Sequence, residues 1–296
     1  MSLPNTIGVI FDFDDTLGED TTNLFMKKKL GMSGSQIRNF WSREVGILVQ
    51  EGWDPPLAYI HLILERARSK RLGITNKDLR HLGKRVRLHR GVPDVFRRLQ
   101  DFVRARQEFQ EAHVGIEFFV ISGGFEEIIR GTPIAREMKD IFGCTFDETR
   151  EGLVPKSIVT FTEKTKFLYA INKGLSGREL RRNPYSVNDV IPTNRRRIPF
   201  SNMIYLGDGP TDIPCFSSVQ HFGGKTIGIL KYKKKSTREG DVLVDKNRAW
   251  AIAKGERTTL GPFQPDYRRA SDLYVNLRMQ VERIALEICD VFRRRG

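Results

Sequence analysis

Three aspartates stand within four positions at the end of an apolar run: Val9, Ile10 and Phe11 lead into Asp12, Phe13, Asp14 and Asp15. The run, with Ile7 ahead of it, reads as the end of a buried strand. A carboxylate buried without a partner costs several kcal/mol. A positive group must therefore lie against these acids, or one of them must hold its proton. Residues two apart on a strand point the same way and the residue between points the other way. Asp12 and Asp14 can thus face one crevice while Phe13 turns into the body. Two carboxylates so placed suit a division of labour, one attacking as a nucleophile and the other giving and taking a proton.

A second acid pair closes another apolar run, in MIYLGDGPTDIP (residues 203–214). Asp208 follows the run, Gly207, Gly209 and Pro210 force a turn, and Asp212 comes one helical turn later. If these two lie beside Asp12, the convergent oxygen ligands suit a hard cation such as Mg2+. The same passage also reads as an Asp-capped helix after a glycine turn. In FFVISGGFEEII (118–129), Ser122, Gly123 and Gly124 follow a third apolar run. Small residues and backbone N–H groups at a helix start can cradle a phosphate, although S-G-G also makes an ordinary turn. Lys164 opens a helical segment and offers a fixed positive charge at the same mouth; Lys166 is its rival.

These residues need elements to position them. Short β-rich runs (7–11, 116–121, 202–206 and 226–230) alternate with amphipathic segments, which predicts an α/β fold: a Rossmann-like, doubly wound parallel sheet with helices on both faces. In such sheets ligands bind just outside the carboxyl ends of the strands. Residues 18–88 are too long for one crossover and read as several helices, hence an inserted helical cap domain. Residues 1–17 and 89–296 then form the core. Pro55 and Pro56 open one cap helix, and Thr75 with Asp78 makes a capping box for another. Residues 143–161 are expected to form a hairpin whose arms CTFDET and SIVTF flank REGLVP. Thr162 is the expected N-cap of the helix ending at Gly174. The stretch 175–200 reads as an irregular basic insert. In the helical extension 240–296, Leu273, Leu277, Val281, Ile284, Ile288 and Val291 form one stripe that packs on the core.

Composition bounds the rest. The 296 residues, 39% hydrophobic and 29% charged, suffice for a globular core. No apolar run is long enough to cross a bilayer, so no membrane partner is expected. MSLPNT carries no secretion signal, and Cys144, Cys215 and Cys289 share no close spacing. Together these predict a cytoplasmic, reducing setting, without a disulfide framework or zinc site. The formal net charge of +14 concentrates anions or nucleic acid nearby, and its excess lies in 177–200, 231–238 and the terminal FRRRG.

Taken together, the motifs resemble the haloacid dehalogenase superfamily of phosphohydrolases. DFDDT (Asp12, Asp14, Thr16) matches its D-x-D-x-T motif, Ser122 in VISGG its second, Lys164 its third and GDGPTD (Asp208, Asp212) its fourth. Phe167, Leu168 and Ile171 match the helix that follows the motif lysine. SGGF and GDG are most similar to the phosphoserine-phosphatase branch. The resemblance implies that Asp12 forms an aspartyl-phosphate, that Asp14 is the general acid and base, and that Thr16 orients the loop. It implies that Ser122, Gly123 and Lys164 bind phosphoryl oxygens. Mg2+ would be held by Asp12, the carbonyl of Asp14, Asp208 and Asp212. The branch has a substrate-reading glutamate nine residues after the nucleophile; Thr21 stands there, and Glu19 is out of register. Serine phosphate is therefore not carried over. The expected activity is a Mg2+-dependent phosphatase acting on a small phosphate monoester. The alternatives are a phosphatase or phosphotransferase on nucleic-acid ends and a non-catalytic binding module.

Overall fold

A computed structural model describes residues 4–231, 234–237, 240–243 and 257–294. Strand β1 (Thr6–Phe11) is the apolar run leading into the aspartates. Between it and the next strand lie α1 (Thr21–Lys28), α2 (Gly34–Asn39), α3 (Val45–Gln50), α4 (Pro55–Ser69) and α5 (Asn76–Gly83). The chain returns through α6 (Val92–Arg104) and α7 (Gln107–Glu111). Local chemistry starts these helices where the sequence predicts. The Asp54 carboxylate accepts from Leu57 N ahead of Pro55 and Pro56, and Thr75 with Asp78 closes a reciprocal capping box.

There follow β2 (Gly115–Phe125), the five-residue α8 (Glu126–Arg130), β3 (Asp140–Thr149), β4 (Gly152–Ser157), α9 (Glu163–Lys173) and α10 (Gly177–Arg182). Then come β5 (Met203–Gly207), α11 (Ile213–His221), β6 (Lys225–Ile229), β7 (Lys234–Thr237) and β8 (Gly240–Leu243), and lastly β9 (Leu260–Phe263) and α12 (Asp272–Arg293). Among the described residues the main sheet has the order β4-β3-β2-β1-β5-β6-β9. All its pairs are parallel except β3 with β4. Strands β1 and β5, which carry the two acid pairs, are neighbours near its centre.

Alternation assigns the faces. Val9 and Phe11 project to one side, where Phe96 of α6 packs edge-on against Phe11 and Phe118. Tyr205 pairs in register with Ile10, so it projects to the other side, where Phe216 of α11 meets it. Helices therefore cover both faces, as a doubly wound sheet requires. Helix α12 joins the α6 side, with the Arg98 guanidinium over the Tyr274 ring. Its buried stripe holds Leu273, Leu277, Val281, Ile284 and Ile288, but Val291 is 44% exposed, because the last turn runs past the edge of the core.

Three local expectations change. Strand β4 is GLVPKS, so the hairpin turns at Arg150 and Glu151 rather than across REGLVP. Pro155 is tolerated because β4 is the edge strand and needs no outward N–H bond. Ser122, Gly123 and Gly124 lie within β2, not at a helix start; α8 begins only at Glu126. The register between β2 and β3 slips between Ile121 and Phe125, a bulge of the kind that re-aims residues beside a site. Thr162 precedes α9 without a side-chain capping bond, whereas Gly174 ends that helix at φ 78°. The insert 175–200 contains α10, opened by a Ser176–Glu179 capping box, and short 3-10 turns. The basic run 231–238, the extension from 240 and the terminal arginines fall partly outside the described residues. No helix among the described residues is long and apolar enough to cross a membrane.

Candidate active site

Beyond the end of β1 the backbone is fixed before any side chain acts. Asp12 N donates to Leu206 O at 2.8 Å, which ties the turn to β5. Leu17 N returns to Phe13 O at 2.8 Å, and Asp15 takes a left-handed φ of 57° that aspartate tolerates better than most residues. Phe13 is fully buried, as the alternation predicts, and Asp12 is almost so. From the far end of the chain, the Tyr267 hydroxyl donates to Thr16 O at 3.0 Å. Tyr267 is held in turn by Tyr267 N to Arg90 O at 2.8 Å and by Arg98 to its carbonyl at 2.6 Å. Gly91, at φ 78°, lets this segment approach: a Cβ there would meet the Tyr267 carbonyl carbon at 2.6 Å.

The acids converge. Asp12, Asp208 and Asp212 each present a carboxylate oxygen within 4.8 Å of the others, and all three are buried. Lys164, buried to 1% exposure, donates to Asp12 Oδ1 at 2.8 Å and to Asp212 Oδ1 at 2.7 Å. Burial alone would lower the lysine pKa, but Asp12 and Asp212 outweigh it and hold the ammonium protonated well above its usual range. Burial pushes the Asp12 carboxyl up to about 7, against the pull of Lys164 and with the repulsion of Asp212. One ammonium among three carboxylates leaves negative charge in excess. Lys166, the rival, turns away and pairs with Glu163 at the surface.

Asp212 is fully engaged. Its Oδ1 accepts from Lys164 and from the Tyr205 hydroxyl at 2.7 Å, and its Oδ2 accepts from Asp208 N and Gly209 N, each at 3.1 Å. These four bonds fill the carboxylate's acceptor sites. Asp212 therefore holds Lys164 and the Asp208 turn in place, and Gly207 is required because a side chain there would run into the Asp212 carboxylate.

Asp14 is held by the start of α1. Thr21 N donates to its Oδ1 at 2.8 Å and the Thr21 hydroxyl to its Oδ2 at 3.2 Å. Burial, then the negative charge of Asp20 and of Asp12, raises its pKa well above the usual carboxylate range. A carboxyl that keeps its proton is what a general acid needs. Ser122 is fully buried, and its hydroxyl accepts from Gly124 N at 2.9 Å. The Gly123 carbonyl receives the Tyr59 hydroxyl of α4 at 2.7 Å, which joins the helical insert to the sheet at this mouth. Thr16 Oγ1 is buried without a hydrogen-bond partner.

Gly124 leaves room for Asp14: a Cβ there would lie 2.5 Å from Thr21 Oγ1 and 2.6 Å from Asp14 Oδ2. Gly124→Ala is expected to displace Asp14 and lower kcat by about 10²-fold, the order seen when a catalytic group is misplaced by an ångström. Unchanged kcat in a folded Gly124→Ala protein would show that Asp14 is not held there.

Thr21 as a support is not legible in the motifs, which show only that a glutamate is absent at its position. Nor are Tyr59, Tyr205 and Tyr267. Tyr205 alone carried a signal, as the polar residue of an otherwise apolar central strand.

No family model matches the chain. An uncharacterized protein of Borreliella burgdorferi is 24% identical over 277 residues, covering 86% of this chain and 92% of its own. A HAD family hydrolase of Salmonella enterica serovar Typhi superposes with a TM-score of 0.46 at 18% identity over 77% of this chain. This chain spans 63% of that hydrolase, under two thirds of its length. A probable phosphoserine phosphatase of Vibrio cholerae superposes with a TM-score of 0.50 at 13% identity, covering 97% of this chain and 68% of its own. The chain shares the α/β fold of the Vibrio cholerae protein. The resemblance read from the motifs holds at the level of the fold, and the acids lie together at the ends of β1 and β5.

Proposed function

We propose that the chain is a phosphatase of the haloacid dehalogenase type that hydrolyses a small phosphate monoester through an aspartyl-phosphate on Asp12. One observation carries this reading: Asp12, Asp208, Asp212 and Lys164 form a single buried cluster at the strand ends, with Asp14 two residues beyond the nucleophile.

Lys164 fixes the Asp12 carboxylate through Oδ1 and balances charge that shifts onto the phosphoryl oxygens. An Asp12 oxygen forms a bond to phosphorus while the ester P–O bond breaks, and Asp14 gives its proton to the leaving oxygen. Asp14, now ionised, takes a proton from a water that attacks the phosphorus. The Asp12–phosphoryl bond breaks, inorganic phosphate leaves and both acids are restored. Ser122 and the N–H groups about Gly123 bind the phosphoryl oxygens. The helices of residues 18–88 act as a cap, with the Tyr59 bond to Gly123 closing it, and exclude water. The buried carboxylates favour a small ester over a polymer end.

The donor set fits a hard divalent cation such as Mg2+: all oxygens, closely spaced and short of positive charge. Asp12 and Asp208 would hold it, with Asp212 fixing the Asp208 turn. When bound it would neutralise charge between the carboxylates and the phosphoryl group. Chelation is expected to abolish hydrolysis of a panel of phosphate monoesters, and added Mg2+ to restore it; calcium should substitute poorly. Turnover at the normal rate in fully chelated protein would overturn the cation's part in this reading.

A further inference from the structure

Beside the catalytic loop lies a cleft of about 870 Å³, lined on one wall by Asp20, Asn23, Leu24, Lys27 and Lys28 of α1 and its cap. Asp15, Glu19, Arg85, Arg87 and Lys231 complete its charged lining. The cleft is at the large end of small-molecule sites, which run to roughly 1,000 Å³. Its lining is next in sequence to the machinery: Asp15 follows Asp14, and the residue after Asp20 is Thr21, which holds the Asp14 carboxylate.

Its charges are not balanced. Glu19 pairs with Arg87 at 3.1 Å and Asp15 with Lys231 at 3.2 Å. Among the described residues no ion pair engages Lys27, Lys28 or Arg85. The cleft therefore holds five cations against three carboxylates, a net charge of +2, and Lys27, Lys28 and Arg85 are the cations outside the two pairs. Asn23 and Lys27, like Leu24 and Lys28, are four apart and share one face of α1. Lys27 and Lys28 lie six and seven residues beyond Thr21, about 10 Å along the axis at 1.5 Å per residue.

We infer that the substrate carries a second anionic group, phosphate or carboxylate, beyond the scissile phosphate and bound by Lys27, Lys28 and Arg85. The inference rests on the phosphatase reading and narrows it to bis-anionic esters with an intervening scaffold. Two of the cleft's three acids already have cations, so a neutral tail gains nothing from the unpaired lysines, and a second anion gains charge-assisted hydrogen bonds.

Three esters of one length provide the test: hexane-1,6-diol monophosphate, hexane-1,6-diol bisphosphate and 6-phosphooxyhexanoate. The bisphosphate is expected to exceed the monophosphate in kcat/KM by about 10- to 100-fold, the range one or two hydrogen bonds to charged groups supply. The phosphooxyhexanoate arm tells whether a carboxylate serves equally. Lys27→Ala/Lys28→Ala and Arg85→Ala should each collapse the bisphosphate-to-monophosphate ratio toward one. Equal kcat/KM for monophosphate and bisphosphate would overturn the inference and leave the phosphatase reading intact. Steeply salt-dependent hydrolysis of a 5′-phosphorylated oligonucleotide, with no preference among the three esters, would overturn it in favour of nucleic-acid ends. No turnover on any phosphate ester would overturn the phosphatase reading. Calorimetric titration of the Asp12→Asn protein with the bisphosphate then judges the cleft by itself: binding lost in Lys27→Ala/Lys28→Ala supports the anion site, and no binding overturns it.

Discussion

Asp12→Asn is expected to lose phosphatase turnover by a factor on the order of 10⁶, the scale for removing a covalent nucleophile. The amide nitrogen cannot attack phosphorus, and the amide oxygen is a poor nucleophile. The fold should survive, because asparagine keeps an oxygen for Lys164 and removes one of the buried carboxylates that share its single ammonium. Thermal unfolding of the variant in chelator should therefore come no lower than that of the parent. Loss of phosphate release with the unfolding midpoint preserved assigns chemistry to Asp12. Steady turnover near the parent rate, in a preparation free of other phosphatases, would mean that another group is the nucleophile.

Lys164→Met should injure both rate and stability. Its ammonium, buried at 1% exposure, bonds Asp12 at 2.8 Å and Asp212 at 2.7 Å. Methionine fills the space but leaves two buried carboxylates without their cation, and breaking such a pair costs about 3–5 kcal/mol. At roughly 2–4 °C per kcal/mol for a chain of this size, the midpoint should fall by about 10 °C or more. The rate should fall by about 10²–10³-fold, as when one electrostatic stabiliser of the transition state is removed. Lys166→Ala is the control: a half-exposed i,i+3 pair with Glu163 is worth under about 1 kcal/mol. Scanning calorimetry and initial rates on the three proteins decide the matter. If Lys166→Ala is the damaged variant, the lysine of the site has been misassigned by two residues.

The sequence makes the acid cluster legible because each acid interrupts an apolar run, and a buried strand does not end that way without a reason. The α/β alternation is legible for the same reason: the runs are short, β-branched and separated by helical periodicity. What stays hidden is of two kinds. Local punctuation misleads where tertiary position overrides it. Gly152 and Pro155 look like a turn, yet edge strand β4 accommodates both. The glycines of SGG look like a helix start, yet they are a strand irregularity that brings Gly124 beside Asp14. The second kind is distance along the chain. Nothing near Thr21 or Tyr59 reveals that one holds Asp14 and the other reaches Gly123. Lys164 falls between the two kinds. It shares the helical face of Leu168 and Ile171, which are buried, whereas Lys166 lies two residues round the helix and outward.

The bond from the Tyr267 hydroxyl to the Thr16 carbonyl joins residues 251 positions apart. During synthesis, Thr16 leaves the ribosome 251 residues ahead of Tyr267. Closing so long a loop carries an entropic penalty that grows by about 0.6 kcal/mol for each doubling of length, and no truncated chain can recover it, since the partner is not yet there. The turn that follows Asp12 therefore stays unbraced until Tyr267 has been made. Whatever chemistry the aspartates perform thereby waits for Tyr267: a chain stalled before it already carries its acids, but not the brace behind them.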